Sequence, residues 1–348
     1  MGALLVDAAG TVVGEGYHRQ LGGPHAEIEA LADAARRHPD RPVQGATAYV
    51  TLEPCCHQGR TGPCTEALIE AGVARVVACH KDPNPEVGGR GFARLAEAGI
   101  AVEWGFLVEE AVRLNLPFLV QHALGRPAIT LKWAMSLDGR IATVTGESQW
   151  ISSEEGRQWS LELREEHDAI LVGVGTALAD DPSLNRRLGL APGPLLRVIL
   201  DRRLRLPDSA RMFRLPGPVL IYTENHEPES RHRLEAAGGE VAVLPRVEPA
   251  AVVADLHRRG VQSLLVEGGG GIHGAFVEAG LFDRVRVCCA PRLLGGQSAP
   301  GPVGGGGIGQ LAAAPRLDGL NVEERGPDII LSGTRNGCLQ DLCKSVGG

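Results

Sequence analysis

The chain has 348 residues, of which 43% are apolar and 22% charged, with a formal net charge of −7 and a mean hydropathy of −0.03. That length exceeds what one hydrophobic core usually serves and predicts two domains, while the apolar content excludes a disordered chain. The acidic balance argues against a nucleic-acid partner, which needs clustered Lys and Arg, and neither an apolar run of about 18 residues nor a basic-then-apolar leader is present, so a cytoplasmic protein without a membrane partner is expected.

Apolar runs at residues 4–6 and 11–16, joined by Asp7-Ala-Ala-Gly10, predict a hairpin. Because the chain opens directly on what reads as an internal strand, one face of the first sheet is expected to lack cover. After Gly22-Gly-Pro24, the apolar positions Ile28, Leu31, Ala32 and Ala35 follow helical spacing over 25–37, which puts His25 and Glu27 in a first helical turn. Residues 46–52 predict a strand that delivers Glu53-Pro-Cys55. A polar loop over 56–62 follows, then Pro63 at the first turn of a helix over 64–71 that ends at Gly72. A strand at 75–79, a helix at 91–98, a strand at 101–103 and a long helix at 108–124 complete a three-layer α/β domain over 1–124.

Gly125-Arg-Pro127 is the predicted linker. Beyond it, strands are predicted at 128–133, 169–172, 197–200, 219–222, 240–243, 263–266, 284–289 and 329–331. Helices are predicted at 154–166, 229–237, 250–259 and 272–279, so a second α/β domain spans 125–333. The glycine run 304–307 reads as a flexible loop. Residues 334–348 show no periodicity and read as a tail, whose Cys338 and Cys343 are either a metal or disulfide pair or, more commonly for such positions, incidental exposed thiols.

Eight cysteines over this length are not a disulfide framework, which turns attention to metal binding near His25. Zinc takes a tetrahedral set of N and S ligands, so His25 with Cys55 and Cys64 would leave one position for water, whose pKa zinc lowers to about 7. Glu27, not a ligand, is then the proton shuttle of a deaminase. The general zinc deaminase signature is Pro-Cys-x-x-Cys, whereas eight residues separate Cys55 from Cys64, so spacing alone does not decide. Cys56 and His57 are rival ligands, Cys56 the stronger because it adjoins Cys55. His25 as a helix cap and the cysteines as small buried hydrophobes is the bland alternative. The two motifs occurring together, each at the mouth of a helix, outweigh it.

Four stretches of the first half, Pro24-His-Ala-Glu27, Ala46-Thr-Ala-Tyr-Val-Thr-Leu-Glu-Pro-Cys55, His57-Gln-Gly-Arg-Thr61 with Cys64, and Lys81-Asp-Pro-Asn-Pro85 with Gly89-Arg-Gly91, closely resemble the bifunctional riboflavin-biosynthesis deaminase–reductase family. The long loop between Cys55 and Cys64 is typical of that family. The second half matches through Lys132, Ser136-Leu-Asp-Gly-Arg-Ile-Ala142, Gly146-Glu-Ser-Gln-Trp-Ile151, His167-Asp-Ala-Ile-Leu171, Thr176, Ala179-Asp-Asp-Pro182 and Val266-Glu-Gly-Gly269. The resemblance covers nearly all of residues 2–333.

It implies a cytidine-deaminase-like three-layer domain followed by a dihydrofolate-reductase-like α/β domain. The implied chemistry is Zn²⁺-dependent removal of the 2-amino group of 2,5-diamino-6-ribosylamino-4(3H)-pyrimidinone 5′-phosphate, then NADPH-dependent reduction of the ribosyl chain to ribityl. The partner is thus a small phosphorylated pyrimidine, and homo-oligomerisation is left open. By resemblance Ser148, Arg164, Leu184, Arg187 and Glu267 face the substrate. Ala134, Trp150, Thr176, Asp180 and the loop Gly269, Gly270, Gly271, Ile272, His273, Gly274, Ala275 face the nicotinamide cofactor. Forked arginine donors suit a 5′-phosphate, and glycines let backbone N–H groups approach a pyrophosphate. Apart from the resemblance, Arg164 reads as a solvated helix charge paired with Glu162 or Glu165, residues 268–271 as a turn, and Trp150 as core. Gly173-Val-Gly175 alone is too weak a dinucleotide signal.

Two departures from the family pattern stand out. Gly62 replaces a proline and is expected to loosen the metal loop without removing a ligand. The family also has a helix and an Asn-Pro-x-Val-Gly turn ahead of Gly2, with Met1 standing where that valine would be, so the native chain is expected to begin upstream. This motivates an alternative reading as a reductase whose first half is only a zinc-binding scaffold.

Overall fold

The computed structural model describes residues 1–19, 22–39, 43–57, 62–84, 87–191 and 193–347. These divide into two compact units, Met1–Leu124 with Leu339–Gly348, and Gly125–Cys338.

The first unit is a five-stranded sheet built from β1 (Gly2–Val6), β2 (Val12–Tyr17), β3 (Thr47–Val50), β4 (Arg75–Ala78) and β5 (Ala101–Trp104), in the order β2-β1-β3-β4-β5. The hairpin β1–β2 and the pair β1–β3 are antiparallel, and β3, β4 and β5 run parallel. Helices α1 (Ala26–Arg37), α2 (Cys64–Glu70) and α3 (Arg90–Glu97) bury their apolar stripes on it: Ala30 and Ala34, Leu68, Phe92 and Leu95 pack with Leu5, Val50 and Val76. Gly14 and Gly16 of β2 allow α1 to press on the strand, because a Cβ at Gly16 would stand 2.4 Å from the Ala26 carbonyl oxygen. Leu4, Tyr17 and Tyr49 are exposed and, with Phe106 and Leu107, line an open groove of about 640 Å³.

The single helix predicted over 108–124 is two, α4 (Val108–Leu114) and α5 (Leu116–Leu124). Pro117 lacks the N–H that would continue the ladder and disfavours helical backbone at the residue before it. Asn115 sits at the break and donates its side-chain amide to the Thr51 carbonyl at 3.3 Å.

The second unit is a nine-stranded mixed sheet. In chain order it holds β6 (Ala128–Ser136), α6 (Glu154–Glu165), β7 (Ala169–Gly173), α7 (Val174–Asp180), β8 (Leu196–Leu200), β9 (Val219–Thr223), α8 (Pro228–Ala236), β10 (Glu240–Val243) and α9 (Pro249–Arg258). Then come β11 (Ser263–Gly268), α10 (Gly270–Glu278), β12 (Arg284–Ala290), β13 (Leu317–Arg325) and β14 (Asp328–Arg335). The strand order is β10-β9-β8-β7-β11-β6-β12-β14-β13, parallel from β10 to β12 and closed by an antiparallel hairpin. The fully buried strands β7 and β9 read as unbroken apolar runs, as a sheet covered on both faces requires.

Two readings of the sequence change here. Residues 334–348 are not a featureless tail: β14 runs to Arg335, and α11 (Cys338–Ser345) follows. Its Leu339, Leu342 and the adjacent Val346 are buried, and Cys338 is buried rather than exposed. Cys338 and Cys343 are both free thiols. The glycine run is also anchored, because Gly304 N donates to the Gly270 carbonyl at 2.9 Å.

Candidate active sites

In the first unit the connection β2–α1 and the segment β3–α2 converge. His25 is the N-cap residue of α1, yet its ring makes no capping bond. Instead its Nδ1 lies 3.4 Å from Cys55 Sγ and 3.3 Å from Cys64 Sγ. Cys55 follows β3, and Cys64 opens α2, where its N–H donates to Cys55 Sγ at 3.4 Å. Free N–H groups and the dipole at a helix start favour a thiolate there. Hydrogen bonds from the Cys64 thiol and from His25 outweigh burial and hold the Cys55 thiol at about 4, while the same Cys64–Cys55 bond pushes Cys64 up. The bond to Cys55 raises His25.

Among the described residues, His25, Cys55 and Cys64 form the one metal-sized cluster, with all three ligand atoms within 4.8 Å of one another. One imidazole and two sulfurs, one already favouring the thiolate, fit zinc with a position to spare. The rivals Cys56 and His57 fall outside it. Glu27, in the first turn of α1 and only 8% exposed, has its carboxyl pushed up by burial. Residues 58–61 and Pro85 of the sequence motifs lie outside the described residues.

A residue without an assigned role in the sequence reading organises the stretch that follows β4. The Glu53 carboxylate accepts backbone N–H bonds from Gly89 and Gly91 at 2.8 Å, from Asp82 at 3.1 Å and from Phe92 at 3.2 Å. It thereby folds the segment after β4 around the residue two before Cys55. Burial pushes Asp82 in that segment up to about 6.

In the second unit Glu267, near the end of β11, is joined by Arg164 of α6 through bonds of 3.1 and 2.8 Å, and Lys132 of β6 stands 4.0 Å away. Arg164 is therefore not a solvated charge paired along its own helix; Glu162 pairs with Arg325 instead. Burial opposes charge on Glu267, yet Arg164 and Lys132 hold its carboxyl at about 2. Burial lowers Lys132. Lys132 carries no role in the sequence reading, although a lone lysine inside the apolar run of β6 was a legible signal.

Ser148 donates to Asp180 at 3.1 Å, bringing together a position expected at the substrate and one expected at the cofactor. Leu184 is buried with φ 48°. Arg187 is exposed and bonds Asn185 at 3.2 Å. Trp150 is 59% exposed with the Arg157 guanidinium 5.0 Å above it, so it is not core. Ala134 lies partly buried on β6 opposite Cys288. Along α10 the side chains differ in direction. A Cβ at Gly270 or Gly274 would strike the Gly301 or Gly304 carbonyl oxygen, at 2.6 and 2.2 Å, whereas at Gly271 it would meet open space. The His273 ring turns inward between the Pro302 and Val266 carbonyls. Ile272 and Ala275 line a cavity of about 370 Å³, and Thr176 Oγ1 lies 3.4 Å from where a Cβ of Gly269 would be.

The comparisons with known proteins agree with this division. Residues 127–331 match the family model described as RibD C-terminal domain, and residues 1–80 that of the cytidine and deoxycytidylate deaminase zinc-binding region. Riboflavin biosynthesis protein RibD of Bacillus amyloliquefaciens is 41% identical over 336 residues, covering 95% of this chain and 89% of that one. The RibD of Escherichia coli is 40% identical over 92% of this chain and 86% of its own. Among solved structures, Acinetobacter baumannii RibD superposes with a TM-score of 0.84 at 37% identity, covering 96% of this chain and 92% of that one. A diaminohydroxyphosphoribosylaminopyrimidine deaminase/5-amino-6-(5-phosphoribosylamino)uracil reductase of Thermotoga maritima does so at 0.83 and 34% identity, covering 96% and 91%.

Proposed function

We propose, since the chain belongs to the RibD family of riboflavin-biosynthesis deaminase–reductases, that its first unit performs the deamination and its second the reduction. The protein is a bifunctional enzyme of two consecutive steps, using Zn²⁺ and NADPH. The substrate is the small phosphorylated diaminopyrimidine named above. With no described helix long and apolar enough to cross a membrane, and eight free thiols, the cytoplasm is its proposed location.

In the first unit His25, Cys55 and Cys64 would hold the metal. Bound there, Zn²⁺ supplies the Lewis acidity that makes water a nucleophile near neutral pH. Glu27 supplies the proton traffic. Its buried carboxylate takes a proton from water as the oxygen adds to the amino-bearing ring carbon and gives it to the ring nitrogen, then takes the remaining hydroxyl proton as the carbonyl forms and gives it to the departing amine, which leaves as ammonia.

In the second unit the fixed anion of Glu267 and the cations of Arg164 and Lys132 form a polar patch for the sugar-bearing substrate, with Arg187 offering a forked donor to its 5′-phosphate. Ser148 and Leu184 complete the substrate side. NADPH supplies the hydride. Trp150, Thr176, Asp180, Ala134 and the start of α10 are the residues that would position it.

The observation that carries the deaminase half is the meeting of His25, Cys55 and Cys64 within 4.8 Å beside buried Glu27. The likeness to RibD relatives over both halves of the chain does not favour the reductase-only reading, in which the first unit is only a zinc-binding scaffold. The test is one assay with two readouts on the zinc-loaded full chain: ammonia release from the diaminopyrimidine phosphate and oxidation of NADPH. Both are expected. NADPH oxidation on the deaminated substrate, with no ammonia from its precursor, would restore the scaffold reading.

A further inference from the structure

After completing the nine-stranded sheet with β14, the chain returns to the first unit, where Leu339–Gly348 group with Met1–Leu124. Leu339, Leu342 and Val346 are buried there. The charges of Glu109 and Arg113 act on the Cys343 thiol, which places α11 beside α4.

The end of this segment touches the stretch after β4 at two points. The Lys81 N–H donates to the Val346 carbonyl at 3.4 Å. Gly347, with φ 83°, lies against Trp104: a Cβ there would stand 3.2 Å from the indole ring and 3.6 Å from Lys81 Cδ. The Lys81 ammonium in turn stands 4.4 Å from the centre of the same ring. Backbone conformation and space both favour glycine at this position.

Those contacts lead towards the metal cluster. On either side of Lys81, the His80 carbonyl accepts the Glu53 N–H at 3.0 Å and the Asp82 N–H donates to the Glu53 carboxylate at 3.1 Å. Trp104 stacks on Phe92 with ring centres 6.1 Å apart, and the Phe92 N–H bonds the same carboxylate at 3.2 Å. A Cβ at Gly91 would stand 2.1 Å from the Pro54 carbonyl oxygen, so the stretch that Glu53 gathers abuts the residue before Cys55. Asp82 is close enough to His25 and Cys55 for their charges to act on one another. Two lines of contact therefore run from residues 346–347 to Glu53, one through Lys81 and the other through Trp104 and Phe92.

We propose that residues 339–347, which follow the whole reductase unit in sequence, are a positioning element of the deaminase: their end holds residues 80–82 against Glu53 and so places Asp82 relative to His25 and Cys55. Val346 and Gly347 act through Lys81 and Trp104, not on the ring or the metal. The proposal rests on the reading of the first unit as a deaminase. It adds that this activity draws on sequence from both sides of the reductase unit.

The experiment compares the zinc-loaded full chain with two variants that leave Leu339 and Leu342 in place. Gly347→Val keeps the length but suits neither the φ of 83° nor the space beside Trp104. Ending the chain after Ser345 removes the Val346 carbonyl itself. In both, kcat/KM for ammonia release from the diaminopyrimidine phosphate is expected to fall about tenfold, within what a displaced group costs in a site of fixed geometry. Zinc content should stay near one per chain, and NADPH oxidation on the deaminated substrate should be unchanged. Hydrogen exchange at the amides of Lys81 and Asp82 should quicken in the same variants, a local response that a segment serving only global stability would not give. Parental ammonia release in both variants overturns the proposal. A fall in ammonia release that only follows loss of zinc overturns it as well, since the segment would then support the fold and not the geometry of the site. An unaltered protein that releases no ammonia overturns the deaminase reading and the proposal with it.

Discussion

Arg126 and Asp283 lie 157 positions apart, yet two parallel hydrogen bonds of 2.7 Å join the guanidinium to the carboxylate, which is wholly buried. Asp283 also accepts the Ile129 N–H at 2.8 Å and the Cys338 thiol at 3.6 Å. Arg126 follows the residue that begins the second unit, and Cys338 is the residue that ends it. One carboxylate therefore fastens both ends of the reductase unit.

Asp283→Asn keeps the size of the side chain but leaves a nearly buried guanidinium without its counter-charge. Breaking one side of a buried pair destabilises by about 3–5 kcal/mol. Urea unfolding of the full chain followed by tryptophan fluorescence should show that loss, since Trp133, Trp150 and Trp159 all lie in the second unit and only Trp104 in the first. A variant as stable as the parent would show that Asp283 is not the fastening.

Glu27→Gln tests the proton shuttle separately from the metal. The amide fills the same space but cannot exchange protons, so ammonia release should fall at least about 100-fold. Zinc content by elemental analysis should stay near one per chain, because the three proposed ligands are intact. NADPH oxidation on the already deaminated substrate should be unchanged. Ammonia release at the parental rate would remove Glu27 from the mechanism.

Glu165, at the end of α6, accepts backbone N–H bonds from Arg187, Leu188, Leu190 and Ala191 at 3.0 to 3.3 Å. Arg186 ties the same loop to the carbonyls of Arg164 and His167. Four bonds to one carboxylate fix the loop that presents Arg187. In Glu165→Ala the loop should loosen, raising the reductase KM for the phosphorylated substrate about tenfold while kcat and the KM for NADPH hold, as expected for lost binding common to ground and transition states. A fall in kcat with KM unchanged would place Glu165 in the chemistry instead.

Much of this architecture is legible in the sequence because periodicity carries it. The apolar runs of β7 and β9 and the stripe of α1 announce their elements, and the motifs around His25, Cys55 and Cys64 announce a metal cluster. What was hidden depends on partners. Glu53 and Glu165 each bond to backbone N–H groups, which every residue but proline has, so nothing at the receiving positions betrays them. Lys132 stands out as a lone charge in the apolar run of β6, but its partner is named only when β11 places Glu267 beside it. The helix at Cys338 carries Leu339 and Leu342, with Val346 just past its end at the same spacing, but over so short and polar a stretch that the pattern is lost.

The acid limb of stability follows from His167. Its ring is buried between the Leu163 carbonyl, to which Nδ1 donates at 2.7 Å, and the Thr130 hydroxyl, 3.0 Å from Nε2, an arrangement that suits the neutral tautomer. Burial lowers its pKa from 6.5 to about 4. Between those two values the unfolded chain binds a proton that the native chain refuses, so stability rises with pH there and is lost as pH falls from 6.5 towards 4. The full difference corresponds to about 3 kcal/mol. Burial also lowers His80 and His273, which act in the same direction. Glu267, held at about 2 against its ordinary 4.5, contributes in a separate and more acidic window, its stabilisation being lost as pH falls from 4.5 towards 2. Urea midpoints taken by tryptophan fluorescence at about pH 7.5, 6 and 5 should therefore decline through the histidine window, well before Glu267 titrates. In His167→Gln that decline should be shallower, although the variant starts less stable. A decline in His167→Gln as steep as in the parent would show that His167 does not carry this acid limb.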